Sequence, residues 1–172
     1  MRAGAVAEEL HDPVSGYWVS FDRRGEKLII NTRVEPGGGP PPHVHPLGEE
    51  AFRIEEGKVE YLIGRKKVIA GPGDEMVVPR GTRHTFKNIG DTEARFQAEL
   101  RPEPTGKAEA FFRETAAAAQ EGKYTRRGLP TGLRAAMELT EMLERYQDVV
   151  LMSNPPPAVQ RLFFPIARRF AR

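Results

Sequence analysis

From Tyr17 to Arg101 the chain alternates apolar and polar residues in short runs, each closed by residues such as Gly, Pro, Asn or Asp. A period of two belongs to strands with one buried face, because successive side chains leave a strand on opposite sides. "ARFQAELR", from Ala94 to Arg101, is the clearest run: Ala94, Phe96, Ala98 and Leu100 share one face, and Arg95, Gln97, Glu99 and Arg101 the other. The same reading predicts strands at "YWVSFD", "KLIINTRV", "EAFRIEE", "KVEYLIG", "KKVIA", "EMVVP" and "HTFKN". The turns between them ("DRRGE", "EPGGG", "EEGK", "GPGD", "PRGT", "NIGD") hold residues that accept positive φ or preset a turn. Short strands at this even spacing predict a sandwich or a small barrel.

After "RPEPTG" the pattern turns helical, with Pro102 and Pro104 at the junction. The spacing predicts a β domain, sandwich or barrel, over 1–106 and a helical extension over 107–172, of about three helices. The first is the Ala-rich "KAEAFFRETAAAAQEG", ended by Gly122. The second, "TGLRAAMELTEMLERYQDVV", carries an apolar stripe of Leu133, Ala136, Met137, Leu139, Leu143, Tyr146 and Val150. A third follows Asn154 and the triple proline, with Val159, Leu162, Phe163, Ile166 and Phe170 opposite a row of arginines.

The 172 residues contain no cysteine, so a metal would be held by nitrogen and oxygen ligands only. The start, "MRAGAVAEELHDP", is too short in apolar residues for a signal peptide, and no run reaches the length of a membrane span; a cytoplasmic protein is expected. The net charge of +2 and the lack of a clear helix-turn-helix argue against nucleic acid as a partner. Residues 107–172 are net basic, and the arginines of the last helix allow a membrane-surface reading, disfavoured against packing on the barrel or across a homodimer interface. "GGG" at 37–39 lacks the lysine and the strand-then-helix setting of a phosphate loop, and "RRGLP" reads as a solvated linker.

Two of the four histidines, His43 and His45, stand two apart in "GGGPPPHVHPLGEE". Two apart in a strand means one side, so both can reach one ion; a solvated proline-rich loop is the alternative. Glu50 shares its parity with Phe52 and Ile54, which aims a carboxylate at an apolar face, where it needs a compensating partner. Neighbouring Glu49 points the other way. His84 shares its parity with Phe86, again an apolar side, where a histidine is either a satisfied core group or a ligand.

Residues 37–57 resemble the first signature of the cupin family, with Gly37, His43, His45, Glu50 and Gly57 on its fixed positions. Gly73, Pro79, Gly81, His84 and Asn88 resemble the second. The resemblance implies a mainly β fold, a double-stranded β-helix or jelly-roll barrel, here with a C-terminal helical extension. It also implies one divalent metal ion held by His43, His45, Glu50 and His84. Asn88, Gly73 and Gly81 read as turn residues, and His11 matches neither signature. Three imidazoles and a carboxylate leave two octahedral positions open, which suits Fe, Mn, Ni or Cu, with Zn the further candidate.

A metal-dependent enzyme, dioxygenase-like or an isomerase, acting on a small, apolar or aromatic molecule is therefore expected. A non-catalytic metal-containing binding or sensing module is the alternative. Tyr61, Phe52, Phe86, Met76 and Phe96 are expected to share the interior with the ligands, and they offer no general base; Arg33 and Gln97 would line it only under the opposite strand parity.

Overall fold

The computed structural model describes residues 8–25, 27–102, 106–153 and 159. The third helix expected beyond Asn154, with its membrane-surface reading, lies outside the described residues apart from the single position Val159.

Among the described residues, eleven strands form two antiparallel sheets. The first sheet runs in the order β1 (Leu10–Asp12), β2 (Tyr17–Arg24), β3 (Lys27–Val34), β10 (Ala94–Arg101), β5 (Glu49–Glu56), β8 (Glu75–Val78). The second runs β11 (Leu151–Met152), β4 (His43–Val44), β9 (His84–Asn88), β6 (Val59–Ile63), β7 (Lys66–Ala70). This is the jelly-roll architecture that the cupin resemblance implied, and each strand predicted from the alternation is present. The predicted faces hold too: Ala94, Phe96, Ala98 and Leu100 are all buried.

The two sheets meet over an aromatic core. Phe52 of the first sheet lies 4.9 Å from Tyr61 of the second, and Phe86 lies 5.0 Å from Phe96, both in tilted or edge-on contacts that add to the area each ring buries. Arg33 faces outward instead, lying over Trp18 and paired with Glu9 and Glu93, so the parity assigned to β3 stands.

The extension folds back onto the open side of the barrel. Helix α1 (Ala108–Gln120) packs on β1, and helix α2 (Leu133–Arg145) follows. The helices are tied together where Arg145 and Tyr146 both bond Glu114. The chain then re-enters the second sheet as β11, which pairs with β4 so that Met152 stands opposite His43. One feature of the predicted stripe fails: Leu133 is 81 % exposed, while Met142 is the one α2 residue that is fully buried. The helix ends at Arg145, so Tyr146 and Val150 are buried from the turn beyond it.

The glycine run at 37–39 is a clasp between the sheets. Gly37 N–H donates to the Asn88 carbonyl at 2.9 Å, Asn88 N–H donates to Gly38 at 3.0 Å, and Gly39 N–H donates to Ser15 at 2.8 Å. Gly39 adopts φ 154° with the Phe86 carbonyl pressed against the place a Cβ would occupy. Only glycine fits there. This clasp fixes where the following residues, Pro40 to His45, begin their run toward β4.

Candidate metal centre

His43 and His84 face each other across the β4–β9 pair, with ring centroids 4.3 Å apart. His45 follows β4, and Glu50 reaches in from β5 of the opposite sheet. One ligand atom from each of the four lies within 4.8 Å of all the others. That span is close to what two ligands occupy across one ion with bonds of about 2.1 Å. The structure therefore brings together all four residues that the parity arguments and the two signatures indicated.

The hydrogen bonds around the rings set their tautomers. His43 Nδ1 meets the Pro41 carbonyl at 3.0 Å, His45 Nδ1 the Val149 carbonyl at 2.7 Å, and His84 Nδ1 the Thr82 carbonyl at 2.9 Å. A carbonyl oxygen only accepts, so each Nδ1 carries the proton and each Nε2 is left with its lone pair toward the centre. His84 Nε2 then stands 2.9 Å and His45 Nε2 3.3 Å from the same oxygen, Glu50 Oε2. Lone pairs facing a carboxylate repel unless a positive charge sits among them, supplied by protons or by a metal ion. His45 Nε2, though buried, has no aligned hydrogen-bond partner. The donor set fits a divalent ion of the kind bound by imidazole and carboxylate.

The electrostatics agree. Burial, and then the neighbouring His84 and His45, pushes His43 down to about 3, so it stays a neutral ligand. Burial opposes ionisation of Glu50, yet the charges and hydrogen bonds of His45 and His84 hold it well below the usual carboxylate range. For His45, burial would lower the value, but Glu50 and the Val149 carbonyl outweigh it and raise the ring above 6.5. The Tyr61 hydroxyl is pushed up strongly by burial and then by Glu50, and has no hydrogen-bond partner among the described residues.

His43, His45 and Glu50 open onto a cavity of about 270 Å³. Its walls are mostly apolar, with Phe52, Phe86 and Phe96 from the barrel and Phe111, Leu139 and Met142 from the helices. Of the residues expected inside, Tyr61 and Met76 pack in the core rather than on this wall. Gln97 lies on the other side of its strand, as its parity required. Two contributors had no signal in residue type: the Val149 carbonyl that orients His45, and the helices that close the cavity. No helix among the described residues is long and apolar enough to cross a membrane.

Residues 31–98 match the model of the cupin domain. The chain is similar to germin-like protein subfamily 1 member 4 of Arabidopsis thaliana, 39 % identical over 67 residues, which is 34 % of this chain and 30 % of that protein. It is also similar to polyketide synthase CurC of Streptomyces cyaneus, 32 % identical over 69 residues, 40 % of this chain and 45 % of that one. Each match thus spans less than half of the curated relative. Among solved structures, an RmlC-like cupin from Shewanella frigidimarina NCIMB 400 shares the fold, with a TM-score of 0.51 at 16 % identity, covering 59 % of this chain and 89 % of that one. Residues 31–98, which hold strands of both sheets and all four converging side chains, match the cupin domain, and the fold is the one shared with solved cupins.

Proposed function

We propose that the protein is a divalent-metal-dependent enzyme, dioxygenase-like in its reaction class, acting on a small and largely apolar, oxygen-bearing molecule. One observation carries this reading: three of the four metal-ligating side chains form the end wall of a cavity that is otherwise mostly hydrocarbon. A metal ion held by His43, His45, Glu50 and His84, drawn from Fe, Mn, Ni, Cu or Zn, would keep two coordination positions open and supply Lewis-acid or redox chemistry there. The chain's own residues do the rest. The aromatic walls exclude water and orient the substrate, and the Nδ1 hydrogen bonds hold the three rings with Nε2 toward the centre.

Acid–base chemistry finds less support. Among the described residues on the cavity wall, the carboxylates are Glu50, which belongs to the ligand set, and Asp12, whose oxygens accept hydrogen bonds from two backbone N–H groups and Tyr124. Neither is free to move a proton on a substrate, which disfavours an isomerase. The likeness to a protein named as a polyketide synthase adds polyketide-derived phenols to the candidate substrates.

The test has two stages. Purified protein reconstituted with each metal is expected to hold close to one ion per chain by elemental analysis, and His84→Ala to lose most of it; an empty wild-type protein would remove the proposal. The Fe(II)-loaded protein is then given catechols, flavonols, diketones, thiols and polyketide phenols while oxygen uptake is recorded. Saturable binding without uptake would make the protein a metal-containing binding or sensing module.

A further inference from the structure

The cavity has a second polar end, built from residues far apart in sequence. Asp12, 2 % exposed at the end of β1, accepts the N–H groups of Val14 and Ser15 on Oδ1, both at 2.9 Å. Its Oδ2 accepts the Tyr124 hydroxyl at 2.8 Å, and the pKa of Tyr17, opposite Asp12 in the β1–β2 register, is pushed up by burial and then by the same carboxylate. All three side chains line the cavity that opens at the metal ligands.

The register separates the two ends. Tyr17 stands opposite Val34, and Val34 opposite Ala94; Leu100, six residues further along β10, stands opposite Glu50. Tyr17 and Glu50 thus lie toward opposite ends of β10, and on the second sheet the step from His84 to Asn88, whose amide bonds the Val34 carbonyl, is about 13 Å. Apolar side chains occupy the wall between.

Hydrogen-bond inventory fixes what the second end recognises. A carboxylate accepts hydrogen bonds and does not donate them, and the Tyr124 O–H lies between Asp12 Oδ2 at 2.8 Å and the Thr115 carbonyl at 3.2 Å. What the three side chains leave for a ligand is phenol oxygen lone pairs beside a carboxylate, which accept hydrogen bonds, while the Ser15 hydroxyl on the same wall can donate or accept. We infer that Asp12, Tyr17 and Tyr124 form a recognition pole for a hydrogen-bond donor, an amine or hydroxyl, at the far end of an elongated apolar ligand whose oxygen-bearing end lies at the metal ligands. The inference rests on the reading above, in which an apolar molecule occupies this cavity with one end at the metal.

The polarity of the pole can be reversed by one atom. In Asp12→Asn the side-chain oxygen still accepts from Val14 and Ser15, but the new amide donates to the phenols; the Tyr124 O–H turns to the Thr115 carbonyl, 3.2 Å away, and the Tyr17 O–H is released toward the cavity. The pole then offers a donor. Probes are straight-chain carboxylates of eight to fourteen carbons ending in an amine or in a methyl ketone, titrated calorimetrically into the Zn-loaded protein. Wild type is expected to prefer the amine at its best chain length by about tenfold, the size of a charge-assisted hydrogen bond, and Asp12→Asn to prefer the ketone. Tyr124→Phe, which uncovers Asp12 Oδ2, is expected to keep or increase the preference for the amine, so the proposal is tested even if Asp12→Asn fails to fold.

Equal preference in wild type at every length, no binding of either probe, or the same preference in Asp12→Asn as in wild type would overturn the pole. Discrimination that follows these signs equally well in metal-free protein would uphold the pole and remove the metal-anchored reading. Metal-dependent binding without discrimination would do the reverse.

Discussion

Asn88 closes the second signature and spends its side chain on main-chain groups, so its substitution separates a structural role from a ligating one. The side chain is 1 % exposed and makes three hydrogen bonds. Its amide donates to the Val34 carbonyl at 2.9 Å and to the Thr92 carbonyl at 2.8 Å, and its oxygen accepts from Gly90 N–H at 2.9 Å. Asn88→Ala removes all three and strands their partners. At about 1 kcal/mol for each, the cost is about 3 kcal/mol. For a chain of 172 residues that corresponds to a fall in Tm of about 6–12 °C.

Urea and thermal unfolding of the metal-free protein read this directly, with Lys87→Ala on the exposed face of the same strand as a control within about 0.5 kcal/mol. Asn88→Asp sharpens the test. It keeps the acceptor for Gly90 but turns a carboxylate oxygen toward two carbonyls, which raises its folded-state pKa. Its penalty is therefore absent below the unfolded value of about 3.9 and grows as pH rises toward the raised folded value. The expected metal content of refolded Asn88→Ala is unchanged. A Tm within about 2 °C of the parent, or loss of metal with Tm intact, would refute the structural assignment.

Other consequences follow from the same geometry. Metal uptake should release a proton from His45, whose value in the metal-free protein is raised above 6.5, while His43, held at about 3, releases none. Affinity should thus climb as pH rises through the raised His45 value, and calorimetry in two buffers of different ionisation heat should show the proton. By linkage the His45 proton stabilises the metal-free fold fully below pH 6.5, and that contribution is lost as pH rises through the folded value. On α2, Leu133→Ser should change stability by no more than about 0.5 kcal/mol, because the side chain is 81 % exposed. Met142→Ala should cost about 2 kcal/mol or more in urea unfolding. Gly39→Ala, with its positive φ and its Cβ driven against the Phe86 carbonyl, should cost about 2–3 kcal/mol, and a melt like the parent's would show the clasp to be dispensable.

The barrel was legible because alternation is itself a statement about which face of a strand is wet. The parity that put Glu50 with Phe52 and Ile54, and His84 with Phe86, also put the ligands on the interior side. Strands β1 and β11 were not legible. At three and two residues they are too short to show a period, and they exist because a neighbour pairs with them. The stripe on α2 went wrong at Leu133 because a wheel averages over the helix, whereas only its later turns reach the barrel. Tyr17, Asp12 and Tyr124 left no pattern at all, since a cluster assembled from three remote positions has no spacing to read.

The matched family domain ends at residue 98, yet the site it defines does not. His45 takes its tautomer from the carbonyl of Val149, and β4, which carries His43, takes an edge partner from β11. Tyr124 bonds the buried Asp12, and α1 and α2 supply part of the cavity wall. The four ligands are therefore held jointly by the barrel and by a segment that lies outside the matched domain. Two proteins with the same HxH, Glu and His positions would present similar donors to a metal while differing in everything beyond about one ligand length from it. What enters the cavity is then set by the barrel wall together with residues 106–153, so substitutions in that segment should alter which molecule binds, while substitutions at His43, His45, Glu50 or His84 should alter whether a metal is held at all.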